Sequence, residues 1–589
     1  MKDRSYKLYR EWMEDSRYDE DTKKELQTIA GCEEEIRDRF YKDLEFGTGG
    51  LRGVIGAGTN RMNIYTVRKA TQGLANYILK ENGAEKGAVI AFDSRRMSPE
   101  FSMETALVLC ANGIKTYRFT SLRPTPELSF ALRYLGCKAG IVITASHNPR
   151  EYNGYKVYWE DGAQITPPHD RNILTEVGQV SDLNMVKTIP EIEAREKGLL
   201  MDIGEEIDDA YIEAVKSLSI HPEIVREQAE SLKIVYTPLH GTGNLPVRRI
   251  LKELGFAYVS VVPEQEKPEG GEFPTVAYPN PEDPAAWKLA LEQAVRENAD
   301  IVMATDPDAD RLGIWVKDPA VDPAEEDGYK RYKSFTGNMS GMLIAEYICR
   351  ELFLEGRMPE RPALVETIVT TDMAKPLADY WHVDLIEVLT GFKYIGEQIR
   401  IFEETGSHKY VFGLEESYGC LAGTHARDKD ACSAVMMLAE CAAYYKAQGK
   451  TLIDAMRELY EKYGWYKEGL TSVTVKGEDG ASRISALMEK LREAPDRMPG
   501  GEKILAVRDY RSGCRKDCLS GRTERISLPV SNVLYYELAE EAWCCARPSG
   551  TEPKIKFYYG VKGSCEQDSE EKLERLRAGL LHLVGQTGL

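Results

Sequence analysis

Short apolar segments, each followed by a polar loop and then by a segment with helical spacing, recur along this chain of 589 residues. The clearest of these apolar segments are residues 141–144, 233–236, 301–305 and 409–412. Alternation of strands and helices is the pattern of α/β domains, in which helices cover a sheet of mostly parallel strands. In such sheets, ligands bind at the loops that follow the strands. The pattern therefore predicts an α/β protein whose functional residues follow its strands.

The chain is too long for one hydrophobic core, so we predict several domains. The α/β pattern runs through three similar units and changes near residue 463 to spaced strands and a final helix. The first 40 residues are charged and have the apolar spacing of amphipathic helices. We predict four domains: residues 1–205 with the N-terminal helical extension, 206–320, 321–462, and a C-terminal α+β domain at 463–589.

Bulk properties exclude several classes of partner. The net charge of −19 disfavours nucleic acids and anionic membranes, so local arginines and lysines have to attract any anionic substrate. No segment approaches the ~18 apolar residues of a membrane span, and the first residues lead into a charged helix instead of a signal peptide. The twelve cysteines are scattered without C-x-x-C pairs, which predicts reduced thiols and a cytoplasmic location. The oligomeric state stays open, with a monomer slightly favoured.

A serine loop follows the apolar segment at 141–144. Ser146 comes at the end of the predicted strand, next to His147, and Lys156 lies ten positions downstream. A strand-end serine beside a histidine and a lysine is typical of a nucleophile or a phosphate carrier. The alternative is an ordinary turn, since serine, asparagine and proline are common turn residues.

Three alternating aspartates follow the strand at residues 301–305. Asp306, Asp308 and Asp310 would form a hard, oxygen-rich site of the kind that suits Mg²⁺, and Arg311 stands beside them. An arginine next to metal carboxylates suits a transferring phosphoryl group. The alternative is a solvated acidic turn. A calcium-binding EF-hand fits less well because its glycine and terminal glutamate are missing.

Two further loops have groups suited to a phosphorylated sugar. The segment that begins at Arg547 combines an arginine, two hydroxyls and a glycine before an alternating strand, which is typical of an anion-binding nest. The loop after residues 409–412 carries Glu415 and Ser417, which suit a polyhydroxylated ligand. An exposed polar loop is the equally plausible alternative for this second segment.

Together with Gly-Thr-Gly-Gly-Leu-Arg-Gly at residues 47–53, these four loops resemble the α-D-phosphohexomutase superfamily, in the family's order and over nearly the whole chain. The resemblance implies three α/β domains with mixed sheets and a fourth α+β domain around a central cleft. It also implies residue roles. Ser146 would be the phosphoserine, and Mg²⁺ would be held by Ser146, Asp306, Asp308 and Asp310. The other catalytic residues would be Arg52, Arg311, His147 and Lys156, with either Lys156 or His147 as the general base.

The same resemblance implies the contacts of the substrate. The non-reacting phosphate would be bound by Arg547, Ser549, Gly550 and Thr551. Sugar contacts would come from Thr390, Gly391, Lys393, Glu415, Ser417, Arg427 and Lys429. The Glu-Glu-Ser loop is similar to glucose-type members, whereas Phe392 and Lys393 stand where some dual-specificity members have a histidine. We therefore expect a phosphoglucomutase that uses glucose 1,6-bisphosphate as intermediate and activator, with a phosphomannomutase or phosphopentomutase as alternatives.

Two functions of other classes stay open from the sequence. A phosphohydrolase that passes through a phosphoserine would let water take the phosphate, but it has no need of the second phosphate site at Arg547. A non-catalytic sugar-phosphate binding protein would be expected to have lost the nucleophile or the metal carboxylates. Here all of these residues are present.

Overall fold

The computed structural model describes residues 2–47, 49–322, 325, 327–475, 480–493, 502–549 and 554–586. The predicted N-terminal extension consists of three helices: α1 (Lys2–Glu14), α2 (Glu20–Thr28) and α3 (Glu33–Phe40). Their apolar faces form a small core around Trp12, Phe40 and Tyr65. Both oxygens of Glu25 accept from the Ala57 N–H at 3.1 Å, so the extension is attached to the loop that follows Arg52.

Domain 1 is built on a mixed six-stranded sheet. Its elements are β1 (Gly50–Val54), α4 (Ile64–Lys80), β2 (Ala88–Phe92), α5 (Ser98–Ala111), β3 (Thr116–Phe119), α6 (Thr125–Tyr134), β4 (Ala139–Ile143), β5 (Tyr152–Trp159), α7 (His169–Gln179), α8 (Glu191–Glu196) and β6 (Leu200–Ile203). The order is β1-β5-β4-β2-β3-β6, with β5 antiparallel to both of its neighbours. Strands β2 and β4 are buried along their whole length, as expected for central strands with helices on both faces.

Domain 2 has a five-stranded sheet of order β11-β10-β9-β7-β8. Its elements are α9 (Glu205–Lys216), α10 (Pro222–Gln228), β7 (Lys233–Thr237), α11 (Asn244–Leu254), β8 (Tyr258–Val261), α12 (Lys288–Glu297), β9 (Ile301–Thr305), β10 (Leu312–Lys317) and β11 (Tyr332–Phe335). Strand β11 pairs with β10, so the second sheet extends past the boundary expected at residue 320.

Domain 3 has a four-stranded sheet of order β13-β12-β14-β15. Its elements are α13 (Gly337–Leu354), β12 (Pro362–Thr367), α14 (Ala374–Trp381), β13 (Asp384–Val388), α15 (Phe392–Thr405), β14 (Lys409–Glu415), β15 (Gly419–Ala422), α16 (Ala431–Ala447) and α17 (Leu452–Tyr463). The largest hydrophobic core is shared between domains 2 and 3 because α16 packs against α9, α10 and α11.

Domain 4 is a seven-stranded antiparallel sheet with two helices. Its elements are β16 (Trp465–Thr474), α18 (Gly480–Glu493), β17 (Ile504–Asp509), β18 (Cys514–Asp517), β19 (Thr523–Arg525), β20 (Leu534–Leu538), β21 (Trp543–Pro548), β22 (Lys554–Gly563) and α19 (Glu566–Gln586). The helices cover one face of the sheet. The other face packs on domain 3 through residues such as Tyr535, Trp543 and Val369. The predicted fold class is confirmed.

Helix α5 begins at Ser98, and its N-cap is Met97, in a left-handed conformation with φ 64°. The Ser98 hydroxyl donates to Asp93 Oδ1 at 2.8 Å. None of the helices in the described ranges has the length and hydrophobicity that crossing a membrane requires.

Candidate active site

Ser146 lies in the loop after β4, at the contact between domains 1 and 2. Its φ of 52° is in the left-handed region, and 3% of the residue is exposed. The Ser146 hydroxyl donates to Asp306 Oδ2 at 2.7 Å, and its Oγ is 3.2 Å from Nδ1 of His147. The structure therefore brings the predicted nucleophile to the predicted metal ligands.

The three aspartates form one buried cluster after β9. The ligand atoms of Asp306, Asp308 and Asp310 lie within 4.8 Å of one another. One oxygen each of Asp308 and Asp310 is buried without a hydrogen-bond partner among the described residues. Burial and the two neighbouring carboxylates hold the pKa of Asp306 well above its usual value. Buried, unsatisfied oxygens that converge in this way fit a small, hard dication such as Mg²⁺.

Two lysines compensate part of this negative charge. Lys156 Nζ lies 2.7 Å from Asp308 Oδ2 and 3.3 Å from Asp310 Oδ2, and Lys429 Nζ lies 3.3 Å from Asp310. Burial acts to lower the pKa of Lys156, but Asp308 and Asp310 outweigh it and the pKa is raised. The lowered pKa that a lysine general base requires is therefore not found, and Lys156 is a charged partner of the carboxylates.

Arg52 and Arg311 approach the serine loop from opposite domains. Arg52, on β1, donates to Asn148 Oδ1 at 3.2 Å. Arg311 is held by Glu282 and lies 3.8 Å from Asp310. Burial, together with the charges of Arg311 and Arg52, holds the pKa of His147 well below 6.5. His147 is therefore neutral at physiological pH and is able to accept a proton.

The predicted sugar-binding loop lies at the end of β14, where Glu415 is the last strand residue and Ser417 belongs to the turn that follows. Ser417 donates to Glu415 Oε1 at 2.9 Å, and Lys429 Nζ lies 3.8 Å from the same carboxylate. Thr390 and Gly391 precede α15, where the buried Thr390 hydroxyl has no partner in the described part of the chain.

A group of three cations lies where domains 3 and 4 meet. Arg547 lies on β21, in register with Lys556 on β22, while Lys393 is the second residue of α15 in domain 3. None of the three forms an ion pair with a carboxylate of the described residues. Burial, helped by the charge of Arg547, lowers the pKa of Lys393, and burial also lowers that of Lys556. The Glu416 carboxylate acts on Arg547 and Lys556 but forms no ion pair with them. Partly buried cations of this kind suit an anionic ligand.

Of the other predicted phosphate ligands, Ser549 belongs to the described residues. The backbone N–H of Ser549 donates to the carbonyl of Lys554 at 2.7 Å. Gly550 and Thr551 lie outside the described residues.

Family models match three consecutive parts of the chain, which together cover well over half of its length. They are described as phosphoglucomutase/phosphomannomutase α/β/α domain I at residues 43–183, domain II at 209–319 and domain III at 336–463. The chain belongs to this family.

Individual phosphoglucomutase/phosphomannomutase family relatives agree with this assignment. A phosphoglucomutase of Staphylococcus haemolyticus is 37% identical over 536 residues, which cover 90% of this chain and 93% of that protein. A phosphoglucomutase of Staphylococcus aureus is 36% identical over 543 residues, 92% and 94% of the two chains. The open form of the Paramecium phosphoglucomutase pp63/parafusin shares the fold, with a TM-score of 0.65, 16% identity, and coverage of 93% and 94%.

Arg427 has a different environment from the other predicted substrate ligands. The residue is 1% exposed, and its guanidinium group binds the Glu403 carboxylate at 2.5 Å and the Thr424 carbonyl at 3.0 Å. Its backbone N–H donates to Ser129 Oγ of domain 1 at 2.8 Å. In this arrangement Arg427 positions the loop that carries Lys429. A direct sugar contact stays a prediction that requires Arg427 to leave Glu403.

Several residues of this phosphohexomutase site escaped the sequence reasoning. Thr125 donates through its hydroxyl to Asp308 Oδ2 at 2.8 Å, and Lys556 belongs to the group of three cations. Asp93 and Arg95 lie under the serine loop. Both lie within three residues of the end of the buried strand β2, so the strand-end position that marks Ser146 also marks them. No comparable pattern marks Lys556, which lies within the regular strand β22.

Proposed function

We propose that this family member is a phosphoglucomutase that interconverts α-D-glucose 1-phosphate and glucose 6-phosphate through a phosphoserine at Ser146. The observation that carries the proposal is the 2.7 Å hydrogen bond from the Ser146 hydroxyl to Asp306, within a buried cluster of three carboxylates. The phosphoglucomutase names of relatives at 36–37% identity support it.

The proposed metal is Mg²⁺, with Asp306, Asp308, Asp310 and an oxygen at Ser146 as ligands. The unsatisfied oxygens of Asp308 and Asp310 support this choice. When bound there, a dication would supply positive charge for the oxygens of the phosphoryl group.

The chain's own residues would provide the rest of the transfer chemistry. Arg52, Arg311 and Lys156 would neutralise charge on the phosphoryl group, because each is a cation next to the serine loop or to the aspartates. His147 is the neutral nitrogen base closest to the Ser146 hydroxyl, at 3.2 Å. We propose that His147, and not the charged Lys156, accepts the proton of the sugar hydroxyl that attacks the phosphoryl group.

The enzyme would need separate groups for the sugar and for the non-reacting phosphate. Thr390, Gly391, Glu415, Ser417 and Lys429 would bind sugar hydroxyls, and the group formed by Lys393, Arg547, Ser549, Gly550 and Thr551 would bind the non-reacting phosphate. After the first transfer, glucose 1,6-bisphosphate would turn over in the cleft and return its other phosphate to Ser146. Fixed anion-binding groups at both ends allow two orientations of one bisphosphate, which a hydrolase does not require.

The decisive experiment combines mass spectrometry with a coupled assay. After incubation with glucose 1,6-bisphosphate, one phosphate is expected on the peptide that contains Ser146, and Ser146→Ala is expected to have no mutase activity. Comparing glucose, mannose and ribose 1-phosphates then identifies the preferred sugar. Near-parental turnover in Ser146→Ala contradicts the phosphoserine, and a higher kcat/KM for mannose or ribose 1-phosphate contradicts the glucose assignment.

We also propose a cytoplasmic location, a phosphorylated sugar as the substrate, and no nucleic-acid or membrane partner. All twelve cysteines are free thiols, which is typical of a reducing compartment. The net charge of −19 opposes binding to nucleic acid.

A further inference from the structure

Arg95 is a buried arginine whose guanidinium group donates hydrogen bonds to the serine loop. It is 1% exposed. One terminal nitrogen donates to the carbonyl oxygens of Pro149 at 2.8 Å and Tyr152 at 3.1 Å. The other donates to those of Ser146 and Asn148. Four carbonyls of one loop therefore converge on one planar cation, an arrangement that a lysine cannot reproduce.

Asp93 connects Arg95 to the other side of the same peptide. Asp93 Oδ2 lies 3.3 Å from the Arg95 guanidinium and accepts from the Thr144 hydroxyl at 2.6 Å. The Thr144 hydroxyl in turn accepts from the Ser146 N–H at 2.8 Å. Both the N–H and the carbonyl of Ser146 are thus held in a closed ring of polar contacts, which sustains its left-handed backbone.

Domain 2 covers the outer side of Arg95. The Phe273 ring lies 5.1 Å from the guanidinium carbon in a cation–π arrangement. Gly271 has φ 80°, and a Cβ placed there would be 2.6 Å from the Arg95 carbonyl carbon and 2.2 Å from the Arg96 nitrogen. Only glycine permits this close approach of the two domains. The same domain carries Asp306, so the contact also sets the distance from Ser146 to the aspartates.

We propose that Arg95 is the positioning residue of the serine loop, and that residues 271–273 of domain 2 hold it in place. This inference rests on the proposed phosphoserine function. Arg95 has no hydrogen bond or ion pair with the Ser146 hydroxyl or with Asp306, Asp308 and Asp310 among the described residues. It acts through the backbone, by fixing where Ser146 Oγ stands relative to Asp306.

The test compares Arg95→Lys with Arg118→Lys. Arg118 is a matched control, since it also stacks on a phenylalanine, Phe92 at 5.0 Å, and donates to a carbonyl, that of Pro99 at 3.2 Å. Because misplacing a reacting group by about 1 Å can cost about 100-fold in rate, Arg95→Lys is expected to lower kcat by about that factor. KM is expected to change little, because the sugar and distal phosphate contacts lie in domains 3 and 4. Arg118→Lys is expected to keep the parental kcat.

Two further measurements separate positioning from folding. In Arg95→Ala, added guanidinium ion is expected to restore part of the single-turnover phosphorylation of Ser146 by glucose 1,6-bisphosphate, whereas sodium ion is not. Phe273→Leu leaves every hydrogen bond of Arg95 in place and is expected to lower kcat about threefold, the size of a modest cation–π contribution.

Each outcome decides the proposal. If parental enzyme carries no phosphate on Ser146, the proposed function fails and not the geometry of Arg95. If parental Ser146 is phosphorylated and Arg95→Lys is phosphorylated at the parental rate, Arg95 is not a positioning residue. If Arg95→Lys does not fold, the other two variants decide. The proposal is overturned if guanidinium ion does not rescue Arg95→Ala and Phe273→Leu keeps the parental kcat.

Discussion

The Ser146 hydroxyl of domain 1 donates to Asp306 Oδ2 of domain 2 across 2.7 Å, although 160 positions separate the two residues. The contact joins a strand-end loop of each domain. Since the two loops are attached to different sheets, the distance depends on how the domains pack. Ser146 chemistry is therefore sensitive to changes in either domain.

Asp308→Asn is predicted to remove metal-dependent activity while the fold is kept. The change preserves the shape of the side chain but removes one charge from the converging carboxylates, and loss of such preorganised electrostatics costs about 100-fold or more in kcat. Activity is measured against added Mg²⁺. Asp318→Asn is the control, because Asp318 is a buried aspartate of the same domain that pairs with Lys333 at 2.9 Å. Full activity of the chelator-treated parent would disprove the metal site.

Substitutions of Lys156 distinguish an electrostatic role of its ammonium group from a role as general base. Because Asp308 and Asp310 raise the pKa of Lys156, its ammonium group is expected to act electrostatically. Lys156→Arg should then retain clearly more activity than Lys156→Gln, for which we expect a loss of about 100-fold, as is typical when one preorganised electrostatic group is removed. kcat is measured for both variants. Equal, severe losses in the two would identify Lys156 as the general base and refute our preference for His147.

Arg547→Lys is predicted to weaken binding of the non-reacting phosphate. A bidentate arginine contact is not replaced by lysine, and a tenfold rise in KM would correspond to about 1.4 kcal/mol. The bisphosphate should also escape more often, so the variant should need more added glucose 1,6-bisphosphate. Phosphorylation of Ser146 by a small phosphate donor should stay near the parental rate. Unchanged KM and unchanged bisphosphate requirement would show that the group of three cations is not a phosphate site.

The contact between domains 3 and 4 is predicted to depend on pH through Glu468. Burial raises the pKa of Glu468 to about 7, and its carboxylate accepts from the Thr371 hydroxyl at 2.5 Å. Because the folded-state pKa lies above that of an unfolded glutamate, the associated stability is complete below about pH 4.5 and is lost as pH rises through about 7.

Glu468→Gln mimics the protonated form and removes this dependence. Between pH 5 and pH 8, the Tm of the parent is therefore expected to fall relative to that of Glu468→Gln. Thermal unfolding followed by near-ultraviolet circular dichroism measures the difference. A constant difference in Tm over this range would mean that Glu468 does not change its protonation on unfolding.

Much of the architecture could be predicted from local patterns. The strands before Ser146, before Asp306 and before Glu415 are apolar, short and bounded by polar residues, and each forms as expected. Antiparallel edge strands have weaker local patterns. Strand β11 (Tyr332–Phe335) has only four residues, with the two end residues buried and the two central residues exposed. Because this pattern lacks the alternation of an amphipathic strand, its pairing with β10 depends on tertiary structure.

The sequence by itself determined which residues follow strands, and therefore which loops carry the serine, the aspartates and the sugar-binding groups, because strand periodicity and loop chemistry are local. Tertiary structure decided the distances between those groups, their burial and their pKa values. The charged state of Lys156 depends on two aspartates more than 150 positions away, and the burial of Arg95 depends on Phe273 of another domain. Distances and pKa values of this kind arise from the packing of domains, which no local pattern contains.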